Sequence, residues 1–283
     1  MGRVVLASKI THVPSLMLSE QPGPLHGRRA GAIASLQEVG RRARERGADT
    51  FLVFDTHWLS NFGFHLNGNA RHKGIYTSHE APQLIQNLPY DLPGNPALAD
   101  LIAAEAKQDR IDVLAHQVPT LPLEYGTIVP MHYMNADAAK KVVAAASPLF
   151  ATVDENRRFG AAARRAIERS DCNVAVLASG SLSHKLVGNE QVGDAQWDVV
   201  SSEFNRQMDL HVLDMWKRRR FAEFVRLLPE YCTKCNGEAF MADTVMLFGL
   251  LGWEQFSGDA EQLCDYFTSS GSGQVSVEFH LAA

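Results

Sequence analysis

The chain has 283 residues, with 27 Lys and Arg against 32 Asp and Glu, a net charge of −5, 46% hydrophobic residues and 21% charged ones. That balance is ordinary for a globular protein and offers no basic footprint for nucleic acid. No apolar run is long enough to span a bilayer, and the first ten residues lack a signal-peptide pattern, so no membrane partner and a cytoplasmic location are expected. The basic stretches at 41–46 and 217–220 have acidic neighbours and read as solvated helix faces. Four cysteines (Cys172, Cys232, Cys235 and Cys264) do not make a disulfide framework, and reduced thiols are expected.

Residues 4–7 form a short apolar run that predicts a first strand, delivering Thr11, His12, Val13 and Pro14 into a loop. Residues 27–46 predict a helix with an apolar stripe at Ile33, Leu36 and Val39, ended by Gly47. Residues 50–54 predict a second strand, ending at Asp55, Thr56 and His57. Ligand sites in open α/β sheets collect at the carboxyl ends of strands, so His12 and His57 are expected to meet there. A helix is predicted over 95–107, a short strand over 112–115, and a proline-rich loop over 117–130. A helix over 156–169 precedes a strand over 173–178. That strand ends in Ser179, Gly180, Ser181, Leu182, Ser183 and His184, small residues that allow a tight turn and close approach of the backbone. Residues 197–226 predict a long helix. Residues 237–249 predict another, with Glu238 near its start. A turn at 269–273 and a last strand over 274–280 complete an α/β single domain over residues 1–283, with a mixed central sheet flanked by helices.

Two imidazoles and a carboxylate form the facial triad of non-haem iron oxygenases, which leaves three positions of an octahedral ion open. His12, His57 and Glu238 are the candidate ligands, and His184 is a further polar residue at a strand end. Each alone has an ordinary structural explanation: a hydrogen-bonded strand-end histidine, or a glutamate at a helix start. The ordered set Thr11-His12-Val13-Pro14, Asp55-Thr56-His57-Trp58, Ser179-Gly180-Ser181-Leu182-Ser183-His184 and Asn236-Gly237-Glu238 resembles the class III extradiol dioxygenases. These form the superfamily of the protocatechuate 4,5-dioxygenase catalytic subunit. The resemblance runs along nearly the whole chain. Lys9-Ile10-Thr11-His12-Val13-Pro14, Leu123-Glu124-Tyr125-Gly126-Thr127 and Asp243-Thr244-Val245-Met246-Leu247 look most similar to the branch acting on homoprotocatechuate (3,4-dihydroxyphenylacetate).

The resemblance implies Fe(II), with Mn or Zn as lesser candidates, on His12, His57 and Glu238. It implies His184 as the catalytic acid and base, a catechol and O2 as reactants, and 5-carboxymethyl-2-hydroxymuconate semialdehyde as product. It also implies a homo-oligomer. Relatives often carry Asp-His-Gly in the middle loop where this chain has Glu124-Tyr125-Gly126, so Tyr125 is expected either to bond substrate or to pack. His116 is a further pocket candidate, set against a surface or structural role. Lys185 is a candidate for the substrate carboxylate, set against a solvent-facing lysine. An aminophenol or another catechol stays open as substrate, as does a non-catalytic metal-binding or interaction protein on the same fold. Cys232 and Cys235 lack the two further ligands a structural zinc needs and read as an incidental pair. Trp197, Trp216 and Trp253 read as packing or interface residues, and no glycine-rich nucleotide loop is present.

Overall fold

The computed structural model of the chain describes residues 1–188, 190 and 197–281. Strand β1 (Arg3–Ile10) leads through α1 (Ser15–Ser19) and α2 (Ala30–Glu45) to β2 (Thr50–Ser60). Next come β3 (Phe64–Asn67) and the pair β4 (Arg71–Tyr76) and β5 (Leu88–Pro93), which form a separate hairpin. The middle of the chain holds α3 (Pro96–Gln108), β6 (Val113–His116), α4 (Tyr125–Met134), β7 (Lys141–Pro148), α5 (Val153–Arg169) and β8 (Asn173–Ser179). The last part holds α6 (Glu203–Lys217), α7 (Phe221–Lys234), α8 (Ala242–Leu251), β9 (Asp259–Gln262), β10 (Phe267–Ser269), β11 (Ser272–Gln274) and β12 (Val277–His280).

Among the described residues, eight strands form one mixed sheet in the order β6-β3-β7-β2-β8-β1-β12-β9. Its centre, β7, β2, β8 and β1, is parallel. The sequence of β8, NVAVLAS, is the unbroken apolar run of a strand buried on both faces. Helices cover both sides, giving three layers. One face packs Phe159, Trp216, Phe221, Phe224 and Phe248 from α5, α6, α7 and α8. The other packs Leu36 and Val39 of α2 with Ile128 and Val129 of α4. The helix starts follow local chemistry. Asn95 caps α3 through Leu98 N, with Pro96 in the first turn, and Thr152 and Glu155 form a reciprocal capping box on α5.

The mixed α/β architecture matches the reading of the sequence, with local differences. The expected helix over 197–226 is two helices, α6 and α7. Arg219 turns left-handed between them (φ 59°), and the turn lets Trp216 and Phe221 enter the same apolar cluster. The expected loop over 117–130 ends at Glu124, because α4 begins at Tyr125 and carries Pro130 inside it. The expected helix over 237–249 starts only at Ala242. Ala239, Phe240 and Met241 before it have φ of 44°, 55° and 58°.

Candidate metal centre

Strand register brings the two histidines together. Ile10 of β1 and Asp55 of β2 both lie opposite Ser179 of β8, which sits between those strands. His12 and His57 therefore emerge two residues beyond the same level, at the carboxyl edge of the parallel sheet. Three residues, 56–58, bulge out of the β2–β7 ladder between Asp55 and Leu59 and re-aim His57. Asp55 fixes this bulge by accepting from His57 N at 2.8 Å and from Trp58 N at 3.3 Å. It also accepts from Thr127 Oγ1 of α4 at 2.6 Å, and a Cβ on Gly126 would run into its carboxylate, so α4 docks here only through glycine.

Glu238 stands at the head of the left-handed turn, just before Ala239. Such backbone costs about 1–2 kcal/mol per non-glycine residue, so surrounding contacts must hold it. Glu238 N donates to Leu182 O at 3.3 Å, Gly237 N to Cys232 O at 3.2 Å, and Cys232 Sγ to Phe240 O at 3.1 Å. That bond gives Cys232 a structural use. Burial raises its thiol pKa to about 12 and that of Cys235 to about 11, so neither is a reactive thiolate near neutrality.

Glu238 Oε1 lies 3.4 Å from His12 Nε2 and 3.1 Å from His57 Nε2, and the three donor atoms all fall within 4.8 Å of one another. Two ligands bound at about 2.1 Å and at right angles would stand about 3 Å apart, so this set fits one small divalent ion. The outer atoms are also engaged. His12 Nδ1 meets Ser179 Oγ at 3.0 Å, and His57 Nδ1 meets Glu80 Oε1 at 3.4 Å. Thr56 Oγ1 donates to Glu238 Oε1 at 2.8 Å, and Ser181 N donates to Oε2. Such outer partners orient metal ligands. Burial opposes ionisation of Glu238, but the charges of His184 and His12 and hydrogen bonds from His12 and His57 outweigh it, holding the carboxyl well below its usual range. Burial also disfavours the protonated form of His57. Hydrogen bonds to Glu238 and Glu80 overcome it and raise the pKa to about 10.

This sets the sign of a pH effect. A metal takes neutral imidazole, so below pH 10 an incoming ion must displace the His57 proton. Apparent metal affinity is expected to rise about tenfold per pH unit from 7 to 9, with about one proton released per ion. Calorimetry in buffers of different ionisation enthalpy would measure both. Affinity independent of pH would contradict the assignment.

His184 is half-buried, and its backbone N donates to Asn236 O at 2.9 Å, next to the turn that carries Glu238. The preceding residue is clamped by Asp209, which accepts from Ser183 N at 3.2 Å and Ser183 Oγ at 2.7 Å, and from the hydroxyls of Tyr231 and Tyr266. The Tyr125 ring lies on His57 with centroids 3.7 Å apart, and its hydroxyl donates to Glu80 Oε2 at 3.2 Å. His116 is engaged elsewhere. Its Nε2 sits 2.7 Å from His65 Nδ1, with the rings stacked at 5.0 Å, beside an open apolar groove lined by Trp58, Leu114 and Val118. Lys185 is exposed. The roles of Asp55, Glu80, Ser179 and Asp209 were not visible in the sequence. The partners of Asp55 and Ser179 follow from strand register, those of Glu80 from the β4–β5 hairpin, and those of Asp209 from the packing of α6 against Tyr231 of α7, Ser183 and Tyr266, none of which a short motif encodes.

A second group of donors, Glu261, Glu278 and His280, also comes together. Arg42 bonds both carboxylates, at 2.6 and 2.9 Å to Glu261 and 2.8 Å to Glu278, and Arg46 reaches Glu278 at 2.5 Å. These guanidinium contacts make it an ion-pair network pinning α2 to β9 and β12.

Residues 6–280 match the family described as the catalytic LigB subunit of aromatic ring-opening dioxygenase, and the chain belongs to that family. It is an extradiol-type ring-cleaving dioxygenase. The chain is 45% identical over 273 residues to the 3,4-dihydroxyphenylacetate 2,3-dioxygenase of Escherichia coli, covering 95% of this chain and 98% of that one. It is 23% identical to the 2-aminophenol 1,6-dioxygenase beta subunit of a Pseudomonas species, covering 99% and 95%. The crystal structure of an uncharacterized protein from Escherichia coli K12 shares the fold, with a TM-score of 0.67, 15% identity, and coverage of 98% and 100%. No helix among the described residues is long and apolar enough to cross a membrane.

Proposed function

We propose that the chain opens 3,4-dihydroxyphenylacetate with O2, giving 5-carboxymethyl-2-hydroxymuconate semialdehyde, at an Fe(II) held by His12, His57 and Glu238. The observation that carries this reading is the convergence of His12 Nε2, His57 Nε2 and Glu238 Oε1 at the carboxyl edge of the sheet. The similarity to an enzyme named for that substrate supports the choice of ring. Residues 1–283 then form one catalytic domain, and the enzyme works as a homo-oligomer. Bound at the triad, the ion would acidify a chelated catechol hydroxyl and hold O2 beside the ring.

The remaining work falls to the chain. Glu238 stays ionised and supplies one negative charge, so the site balances a divalent cation only in part and still attracts an anionic catecholate. His184 takes a proton from the second hydroxyl and returns it to oxygen as the ring opens, a task suited to imidazole near neutral pH. Tyr125 braces His57 through its ring while its hydroxyl is held by Glu80.

The test is oxygen uptake by anaerobically Fe(II)-loaded protein given 3,4-dihydroxyphenylacetate, followed alongside the yellow ring-opened product. One O2 consumed per semialdehyde formed is expected. An iron-loaded protein that ignores this compound but turns over 2-aminophenol would move the assignment to the other branch, which the second relative represents. His184→Phe is expected to keep its metal and lose about 10²- to 10⁴-fold in kcat, the usual range for a general acid–base residue. Unchanged turnover in that variant would remove His184 from the mechanism.

A further inference from the structure

We propose that Ser179, directed by Pro130, is a positioning residue that sets the tautomer of His12. The inference rests on the reading of His12 as a metal ligand. A neutral imidazole binds a metal through one nitrogen only if its proton sits on the other. His12 turns Nε2 towards Glu238 and Nδ1 towards Ser179 Oγ, 3.0 Å away. A serine hydroxyl can donate or accept, so this contact alone leaves the tautomer open.

The other side of Ser179 closes it. Its hydroxyl donates to the carbonyl of Gly126 at 2.5 Å. A carbonyl only accepts, so the single hydroxyl proton is committed there. Ser179 Oγ is left to His12 as an acceptor. In the neutral, metal-binding form of His12, Nδ1 must then carry the proton, and the lone pair falls on Nε2, on the side of Glu238. Ser179 is fully buried, so solvent offers the hydroxyl no competing partner.

The Gly126 carbonyl has a reason to be available. Gly126 lies in the first turn of α4, and an ordinary helix would bond its carbonyl to the N–H of the residue four further on. That residue is Pro130, which has no N–H. A proline inside a helix normally weakens it. Here the acceptor it releases receives the Ser179 proton, so the direction of the hydrogen bonds runs His12 to Ser179 to Gly126. The tautomer of a strand-end histidine is thereby set by a proline in a helix across the sheet edge.

Two variants of the full chain test this. Ser179→Ala removes the acceptor of the His12 proton. It is expected to weaken Co(II) binding, measured by chelator competition, about 10- to 100-fold, as loss of an outer partner usually does. In proton NMR of the Co(II)-loaded variant, the exchangeable imidazole N–H signal assigned to His12 should shift and exchange faster with solvent, while that of His57 stays. Pro130→Ala separates a positioning role from a structural one. It restores a helix N–H that competes for Gly126 O, so it should raise the melting temperature and yet weaken Co(II) binding. Co(II) affinity within twofold of the unmodified chain in Ser179→Ala, with an unaltered His12 signal, would overturn the inference. If Ser179→Ala does not fold, tighter or equal Co(II) binding in Pro130→Ala overturns it. A fall in affinity for Ser179→Ala alone would keep Ser179 and reject the part given to Pro130. His12→Ala is the control. Undiminished Co(II) binding there would strike the ligand assignment itself, a failure distinct from the others.

Discussion

Glu238→Gln is expected to lower metal affinity by about 10³-fold or more, beyond the 10- to 100-fold typical of outer partners, and to abolish ring opening. The substitution keeps the volume and one acceptor oxygen but removes the negative charge. The site surrounds this carboxylate with groups chosen for an anion: the imidazole nitrogens at 3.4 and 3.1 Å, the Thr56 hydroxyl at 2.8 Å and the Ser181 N–H. An amide must also place its NH2 somewhere. Turned to Oε2, it opposes the Ser181 N–H, donor against donor. Turned to Oε1, it meets the two nitrogens whose lone pairs a metal would use. Metal content after dialysis, with a thermal melt to show that the fold is kept, gives the answer. Stoichiometric tight binding in this variant would mean that the ion sits elsewhere.

The second large effect concerns stability. Lys9 and Asp243 are both fully buried and pair at 2.5 Å beneath the site, against Gly180, where a Cβ would touch Asp243, Thr56 and Lys9 at once. Burial pushes the Asp243 pKa up, and the Lys9 ammonium is the main group working against that shift. Lys9→Met strands the carboxylate without its partner. Removing one member of a buried pair costs about 3–5 kcal/mol, so the midpoint of urea unfolding should fall sharply at neutral pH. The paired change Lys9→Met with Asp243→Leu should recover most of that loss, because two apolar side chains need no partner. A single variant as stable as the unmodified chain would show that Asp243 is already neutral in the native state.

The parts of this molecule legible in its sequence were those written in contiguous residues. Apolar runs at β1, β2 and β8 mark strands, and the polar residues just beyond them, His12, His57 and His184, stand where open α/β sheets place ligands. Register was not legible. Nothing in the spacing of Ile10, Asp55 and Ser179 shows that they share one level. The turn at Ala239, Phe240 and Met241 reads as helix in the sequence because left-handed backbone without glycine has no compositional mark, and these residues are ordinary helix formers. Tyr125 falls in a loop on sequence alone because the prolines before it and Pro130 together read as one irregular segment, whereas it begins α4. Glu80 sits between the strands of the β4–β5 hairpin and reaches His57 only through tertiary packing.

The order of the sheet also bears on how the enzyme comes into being during synthesis. β12 pairs antiparallel with β1, and β9 is added outside it, so the latest strands made close over the earliest. Glu238 is itself far from His12 along the chain. A growing polypeptide therefore holds the two histidines long before it holds Glu238 or the covering strand, and the β12 side of β1 must wait unpaired. Long-range pairing of this kind is slow and leaves strand edges open to wrong partners. The three candidate donors therefore meet only late in synthesis, and the interval before β12 docks leaves an edge of β1 open to wrong pairing.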